Sequence, residues 1–263
     1  IDFHGGDNSV ASERKLRVAL NAEETQALLK RVPPVYNTLI DDLLLAALVT
    51  TFSPWTGSDT LALGMEGHGR EISESNIDLT RTLGWFTSHF PVKLTLKSKN
   101  SGDAIKSIKE QLRRVPNRGV GFAILRYLCR DGVVVEQLRA ANRSPVLYNY
   151  LGQFNQSASS SGLFGLTSES CGPDHDPAGP RSHILEINAM VFDDRLQVDW
   201  VYSKNLHAVA SIERLAEDYM DTLRNLVSHC LSSEAGGFSP SDFPEANLDQ
   251  EDLDDLLKQL NQP

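Results

Sequence analysis

Apolar and polar positions along the chain follow helical periods in some stretches and strand periods in others. Helical periodicity predicts helices over 21–32, 37–55, 101–115, 121–129, 211–231 and 248–260. Alternation and β-rich composition predict strands over 60–66, 91–96 and 145–154, and a hairpin in which 183–192 and 196–203 flank Asp193, Asp194 and Arg195. Because strands and helices mix without strict alternation, the pattern predicts an α/β fold of mixed α+β layers with an antiparallel component.

The first two helices carry signals for where they begin and end. Asn21 with Glu24 three places on is typical of a capping box, and the prolines at 33–34 end that helix. The second helix, capped by Asn37 or Thr38, is apolar on most faces, which predicts that it is buried.

Composition and charge narrow the classes of function. The 263 residues are 40% hydrophobic and 23% charged, which is ordinary for a globular protein. The net charge of −10 argues against nucleic acid or an anionic membrane as partner, because either needs a basic face. No run reaches the roughly 18 apolar residues of a membrane span.

The three cysteines, Cys129, Cys171 and Cys230, form no CxxC pair and suit free thiols in a reducing compartment, so we expect a cytoplasmic protein. Cys129 and Cys230 fall on apolar helix faces and are expected to be buried. The chain lacks an initial Met and a signal pattern, so we expect it to be a piece of a longer protein.

The stretch EGHGRE (66–71) follows a predicted strand and carries unusual chemistry. Glu66, at the strand end, could be held rigidly as a base that removes a proton from carbon. Gly67 and Gly69 allow unusual backbone angles or close approach of a ligand, and Arg70 could orient a carboxylate or stabilise negative charge. The alternative is a glycine turn with solvated charges, and spacing alone leaves both open.

Two further clusters surround that candidate. Residues 81–92 gather Trp85, Phe86 and Phe90, which could also be a core-packing loop. In the strand that contains Asn149 and Tyr150, neighbouring side chains face opposite sides, so we expect at most one of the two to face a given site. The seven histidines show no metal-ligand spacing, and no metal is predicted.

Taken together, these motifs resemble the epimerization domains of nonribosomal peptide synthetases, which belong to the condensation-domain superfamily. EGHGRE matches the family motif fully, and RTLGWFTSHFP is similar to RTVGWFTxxYP. The other matches resemble DxLLxA, PxxGxGY/F, FNYLGQF and the exit into the next domain. In the family's order the matching stretches are 40–48, 66–71, 81–91, 116–128, 147–154 and 239–244.

The resemblance implies one lobe of a two-lobed fold. The family's other signature, HHxxxDG, is absent, and in the family it lies upstream of where this chain begins. We therefore expect residues 1–236 to be the C-terminal lobe of a chloramphenicol-acetyltransferase-like condensation/epimerization fold, and 237–263 to be an exit linker with a short acidic helix. The site of that fold lies between the lobes, so this lobe alone is expected to be inactive.

The resemblance also implies a reaction and its residues. The substrate would be an L-aminoacyl or peptidyl thioester on the phosphopantetheine of a carrier protein, converted to the D form by removal and return of the α-proton. Glu66, Arg70, Asn149 and Tyr150 would form the catalytic set. His68, Trp85 and Phe86 would form the substrate-binding wall, with the two aromatic residues buttressing it. No cofactor or metal would be bound directly.

The expected partners are the carrier domain and the upstream lobe, without nucleic acid or membrane. The acidic tail over 245–263 would either dock a downstream synthetase module or form a solvated linker helix. Two alternatives for the function remain open. The chain could belong to a condensing, amide-forming acyltransferase of the same fold, or to a non-catalytic module that only binds a carrier protein.

Overall fold

The computed structural model describes residues 1–70, 78–140, 144–154, 172, 174–246 and 248–260. Glu71, Cys171 and the serine-rich stretch 155–162 lie outside the described residues. Six strands form one mixed sheet in the order β1-β6-β5-β4-β2-β3. They are β1 (Glu13–Ala19), β2 (Thr60–Gly67), β3 (Ser88–Thr95), β4 (Val146–Phe154), β5 (Leu185–Phe192) and β6 (Arg195–Ser203).

Strand β4 pairs in parallel with both β2 and β5, and the remaining neighbours are antiparallel. The helices are α1 (Ala22–Gln26), α2 (Pro33–Tyr36), α3 (Ile40–Thr56), α4 (Ser101–Arg113), α5 (Val120–Leu128), α6 (Gly132–Ala140), α7 (Val209–Cys230) and α8 (Gln250–Leu260). The predicted fold class, mixed α/β with an antiparallel component, is confirmed.

The main core lies between one face of the sheet and the helices α3, α4 and α7. Burial alternates along β5, as expected for a strand with one face against helices. The fully buried Trp200 of β6 stacks on Phe52 of α3 and meets Tyr219 of α7 edge-on. Burying aromatic surface on this scale is a main source of stability in such a layer.

The predicted helix start is right for α1 and wrong for α3. Asn21 caps α1: its Oδ1 accepts from the Glu24 N–H at 2.8 Å, and Glu24 Oε2 accepts from the Asn21 N–H at 2.9 Å. The helix continues as a π-helical turn over Ala27–Arg31, and the prolines begin α2. Asn37 has φ 51° and ends α2, so α3 begins only after Leu39.

Among the described elements, the sequence prediction missed the short α2, strand β1 and helix α6, and it found the hairpin. Strand β1 carries four charged residues and lies at the sheet edge, so its alternation is weak. Helix α6 contains three consecutive valines, a composition that favours strands. The β5–β6 hairpin turns at Asp193 and Asp194, which both have the positive φ that such a tight turn requires.

The segment after α7 packs against α4. The ammonium of Lys109, a residue only 1% exposed, donates to the Tyr36 carbonyl at 2.9 Å and to Asp242 Oδ1 at 2.7 Å. The Ser241 N–H donates to Glu110 Oε1 at 3.0 Å. Residues 240–242 are thereby fixed on that helix as a short helical turn.

Cys230 is buried as predicted, whereas Cys129 ends α5 and is only half-buried, so the prediction of burial is wrong there. Over the described parts of the chain, no single helix is long and apolar enough to cross a membrane. The pair 22–36 and 40–56, bent by 94°, passes that test together by length and composition alone. Most residues of α3 belong to the core.

Candidate active site

A cavity of about 720 Å³ opens where β2 and β4 end beside the start of α3. The carboxyl ends of parallel strands meet at one edge of a sheet, which is where α/β sheets commonly place their sites. Its polar or charged lining side chains are Asp41, Asp42, Glu66, His68, Thr87, Ser88, Arg113, Arg118, Asn149 and Tyr150, and its apolar walls include Met65, Trp85, Phe90 and Leu112. The structure thus brings together five of the seven predicted site residues.

Glu66 is the carboxylate that a strand holds at this cavity. It is the penultimate residue of β2, half-buried and paired across the ladder with His89. The amide Nδ2 of Asn149 donates to Glu66 Oε2 at 2.7 Å. A rigid strand and a neutral donor therefore fix the orientation of this carboxylate, which is what a general base needs.

Asn149 and Tyr150 both line the cavity, so the expectation that at most one of them faces a given site is wrong. They do alternate, because Asn149 reaches Glu66 whereas Tyr150 lies on the side of Tyr148, whose hydroxyl donates to Asp41 of α3. The cavity lies at the end of the sheet, where β4 loses regular register with β5 after Tyr150. Both faces of the strand end therefore open into one space.

Two adjacent carboxylates begin α3. Asp42 is fully buried and accepts both Arg113 Nη1 at 3.0 Å and Nη2 at 2.7 Å, in addition to the Leu39 N–H at 2.7 Å. Asp41 accepts the Tyr148 hydroxyl at 2.9 Å. Burial first, and then the charge of Asp42, raise the pKa of Asp41 to about 6, although the Tyr148 hydrogen bond and Arg113 act in the opposite direction.

Arg70 and Phe86 are not among the cavity-lining residues. The Arg70 guanidinium donates to the carbonyl oxygens of Leu79 and Thr82 and lies 4.4 Å from the centre of the Phe86 ring. These contacts tie Arg70 to residues 79–86. The structure therefore places Arg70 as a residue that shapes the loop, and its predicted role toward the substrate stays a prediction.

Gly69 explains why the loop needs a glycine. Its φ is +65°, and a Cβ at this position would lie 1.6 Å from the Phe86 carbonyl oxygen. A second glycine, Gly119, has φ +83° and packs against the ring of Phe90 so closely that a Cβ would lie 2.1 Å from it. Only glycine allows these close approaches. Gly69 brings the loop 66–70 against the segment before β3, and Gly119 brings the turn before α5 against β3.

The aromatic cluster divides between core and surface. Phe90 is buried against the core, as the core-packing alternative predicted. Trp85, in contrast, is 91% exposed at the edge of the cavity. Core packing is therefore wrong for Trp85. His68 lines the cavity, and its Nδ1 accepts the Arg70 N–H at 3.2 Å.

Sequence reasoning missed Asp41, Arg113 and Arg118 as residues of the cavity. The signal for Asp41 was present, since an aspartate pair opens a helix that is otherwise nearly all apolar. Arg113 and Arg118 come from elements far apart in sequence from the loop, and only the tertiary fold shows their position. No three His, Cys, Asp or Glu side chains gather at metal-binding distance in the part of the chain that the structure describes.

The fold and this cavity define a condensation-type domain, and the family comparison agrees. The family model named Condensation domain matches residues 6–248, and the chain belongs to this family. Among curated relatives, one protein of the linear gramicidin synthase of Brevibacillus parabrevis is 43% identical over 98% of this chain. Chondramide synthase of Chondromyces crocatus is 41% identical over 99% of it. The chain spans only 3% and 6% of those two proteins.

Solved structures give the same architecture at two levels of similarity. The epimerization domain from the third module of tyrocidine synthetase B is 35% identical, with a TM-score of 0.80 over 88% of this chain and 51% of that one. The condensation domain from the monacolin K polyketide synthase is 14% identical, with a TM-score of 0.63 over 86% of this chain and 49% of that one. The second likeness establishes the fold alone.

Proposed function

We propose that this chain is the C-terminal lobe of an epimerization domain in a nonribosomal peptide synthetase. The domain would convert an L-aminoacyl or peptidyl thioester, carried on the phosphopantetheine of a carrier-protein domain, to its D form. The observation that carries the proposal is Glu66, which is held by β2 and oriented by Asn149 at the cavity. The partners would be the carrier domain and the lobe upstream of this chain.

The chemistry that such a site can perform is an exchange of one proton. The thioester acidifies the α-hydrogen, and the carboxylate of Glu66 takes that proton, so the C–H electron pair becomes part of an enolate. A second group returns a proton to the opposite face of the carbon, which inverts the centre. By resemblance the second group would come from the upstream lobe, so the complete site would need both lobes.

The similarity favours epimerization over amide formation. The 35% identity to an epimerization domain exceeds the 14% identity to a condensation domain by a wide margin, at a higher TM-score. The loop EGHGRE and the GWFT stretch, which resemble epimerization motifs, supply the cavity residues Glu66, His68, Trp85 and Thr87.

A condensing acyltransferase is the second candidate, because the matching family model carries the name of the condensation domain. It would join the acyl group to the amine of a second aminoacyl carrier. Such a reaction leaves the α-hydrogen in place and consumes the second amine. The two candidates therefore differ in observable products.

The test uses the intact synthetase module that contains this chain, loaded with an L-aminoacyl group on its carrier, in D2O. We expect deuterium at the α-carbon and a D product after hydrolysis. Glu66→Gln should reduce both by about 10² to 10⁴-fold, the contribution of a general base. Glu136→Gln, the same change at a 75%-exposed side chain of α6, is the matched control and should leave the rates unchanged.

Each contrary result has a distinct meaning. Amide formation with a second aminoacyl carrier, without α-deuterium, would establish the condensing candidate. Binding of the loaded carrier with neither product would leave a non-catalytic carrier-binding module. Full activity of Glu66→Gln would remove Glu66 from the mechanism.

A further inference from the structure

Asp41 is a cavity-lining carboxylate without a cationic partner among the described residues. Its neighbour Asp42 takes both guanidinium nitrogens of Arg113. The hydrogen bond that Asp41 accepts, at Oδ1, comes from the neutral hydroxyl of Tyr148. Tyr148 is itself buried, so this contact fixes one oxygen of Asp41 from the core side while the residue faces the cavity.

The surroundings of Asp41 favour its neutral form. A buried carboxylate without a cation is costly, and the group responds by keeping its proton to higher pH. Burial and the Asp42 charge accordingly raise the pKa of Asp41 to about 6. Among the described residues, the titratable and charged groups around it are Asp42 of the same helix, Tyr148 and Tyr150 of β4, Arg113 of α4, Tyr219 of α7, and the cavity-lining Glu66, His68 and Arg118.

We propose that Asp41, in its neutral form, donates a hydrogen bond from Oδ2 to the carbonyl oxygen of the thioester bound in this cavity. A neutral carboxyl group has one oxygen that accepts and one O–H that donates. Oδ1 accepts from Tyr148, which leaves the O–H on Oδ2 for a ligand. This inference rests on the proposed function, since it names an additional catalytic residue for that reaction.

The role follows from where charge develops. When Glu66 removes the α-proton, negative charge moves onto the thioester oxygen. A donor aimed at that oxygen stabilises the enolate more than the starting thioester, and such a difference accelerates the reaction. A carboxylic acid kept neutral by its site can serve as this donor, and its own proton stays on Oδ2 throughout.

The proposal predicts an unusual pH dependence. A donor role requires the protonated form, so epimerization should decline as pH rises through the pKa that Asp41 has in the assembled domain. Contact with the upstream lobe and the substrate would remove further water from the cavity and so raise the pKa of Asp41. The decline should therefore lie at a higher pH than the pKa of Asp41 in this chain alone indicates. An ionised Asp41 that binds a substrate ammonium would give the opposite trend.

The experiment measures α-deuterium exchange by the intact module between pH 6 and pH 9 for the wild type, Asp41→Ala and Asp41→Asn. Asp41→Ala should lose about 10²-fold, as for removal of one oxyanion donor. Asparagine keeps an acceptor for Tyr148 and an N–H donor for the cavity. Asp41→Asn should therefore recover at least about tenfold over alanine, and its rate should no longer decline at high pH.

Tyr148→Phe provides a readout that a merely structural role would not move. The Tyr148 hydrogen bond lowers the pKa of Asp41, so its removal should shift the declining limb of the wild-type profile to higher pH. Thermal unfolding and carrier binding of each variant show whether the domain remains folded. An unchanged limb in a folded Tyr148→Phe domain would overturn the proposal.

The remaining outcomes separate this inference from the function on which it rests. Suppose that the wild type is active and Glu66→Gln is not. Equal losses of activity in Asp41→Asn and Asp41→Ala would then overturn the role of Asp41 alone, and so would full activity of Asp41→Ala. If the wild type shows neither exchange nor inversion, the proposed function fails and the role of Asp41 fails with it.

Discussion

The body of the chain and its cavity differ in the partners of their buried carboxylates. In the body, to which we assign the ion-paired Asp42 and Arg113 although both also border the cavity, Asp42 meets Arg113. In the same way, Asp199 meets Lys15 and Arg17 at 2.6 Å each. At the cavity, Asp41 and Glu66 accept hydrogen bonds from the neutral side chains of Tyr148 and Asn149. Removing the cation from a buried pair destabilises a fold, whereas a carboxylate that has no cation among the described residues keeps its charge available for a ligand or a proton.

Among the changes to charged residues, breaking the pairing in the body should have the largest effect on stability. Arg113→Met leaves the fully buried Asp42 without its cation, so we expect the free energy of unfolding to fall by about 3 kcal/mol. The measurement is urea unfolding, followed by tryptophan fluorescence.

Arg224→Met is the matched control for that change. Arg224 pairs with Glu24 and Asp221 at the surface, with its side chain 42% exposed, so its loss should cost less than about 1 kcal/mol. Equal losses of unfolding free energy in the two variants would show that the buried pair matters no more to stability than the surface pair.

The next effect concerns the wall between the body and the cavity. Gly119→Ala places a Cβ within 2.1 Å of the Phe90 ring at a φ of +83°, which combines backbone strain with overlap. We expect a loss of about 2 to 3 kcal/mol in urea unfolding. Gly121→Ala, two residues further on in α5, meets nothing within 4 Å and should be neutral or slightly stabilising.

These elements also show how far sequence reasoning reaches. The capping box at Asn21, the β5–β6 hairpin and the buried α3 follow from local patterns, and the structure confirms them. The shared cavity of Asn149 and Tyr150 was missed, because it depends on where two parallel strands end in space. Local alternation describes which face a side chain takes, but it does not describe a site at the end of a sheet.

The charge of Asp41 should destabilise the folded chain, in contrast to that of Asp42. Its pKa rises from 3.8 to about 6, so the folded state holds the proton more tightly than the unfolded state does. The free energy of unfolding should therefore fall as pH rises from about 4 to about 6 and level off above that range. The full shift corresponds to at most about 3 kcal/mol.

Asp41→Asn tests this contrast. Since Asp41 keeps partial exposure, we expect a gain of about 2 kcal/mol at pH 7 and almost none at pH 3.5, measured by urea unfolding at both values. Asp42→Asn should destabilise at pH 7, because it weakens the pair with Arg113. The same sign for both asparagine variants at pH 7 would remove the distinction between body and cavity.

The smallest effect is expected at the edge of the cavity. Trp85 is 91% exposed, whereas Trp200 is fully buried among Phe52 and Tyr219. Trp85→Ala should change the free energy of unfolding by less than about 0.5 kcal/mol, while Trp200→Ala should cost about 3 kcal/mol or more. Acrylamide quenching should detect Trp85 as an accessible fluorophore, and its accessible signal should disappear in Trp85→Ala. A large loss of stability in that variant would place Trp85 in the body of the chain, because a side chain in water has no packing to lose.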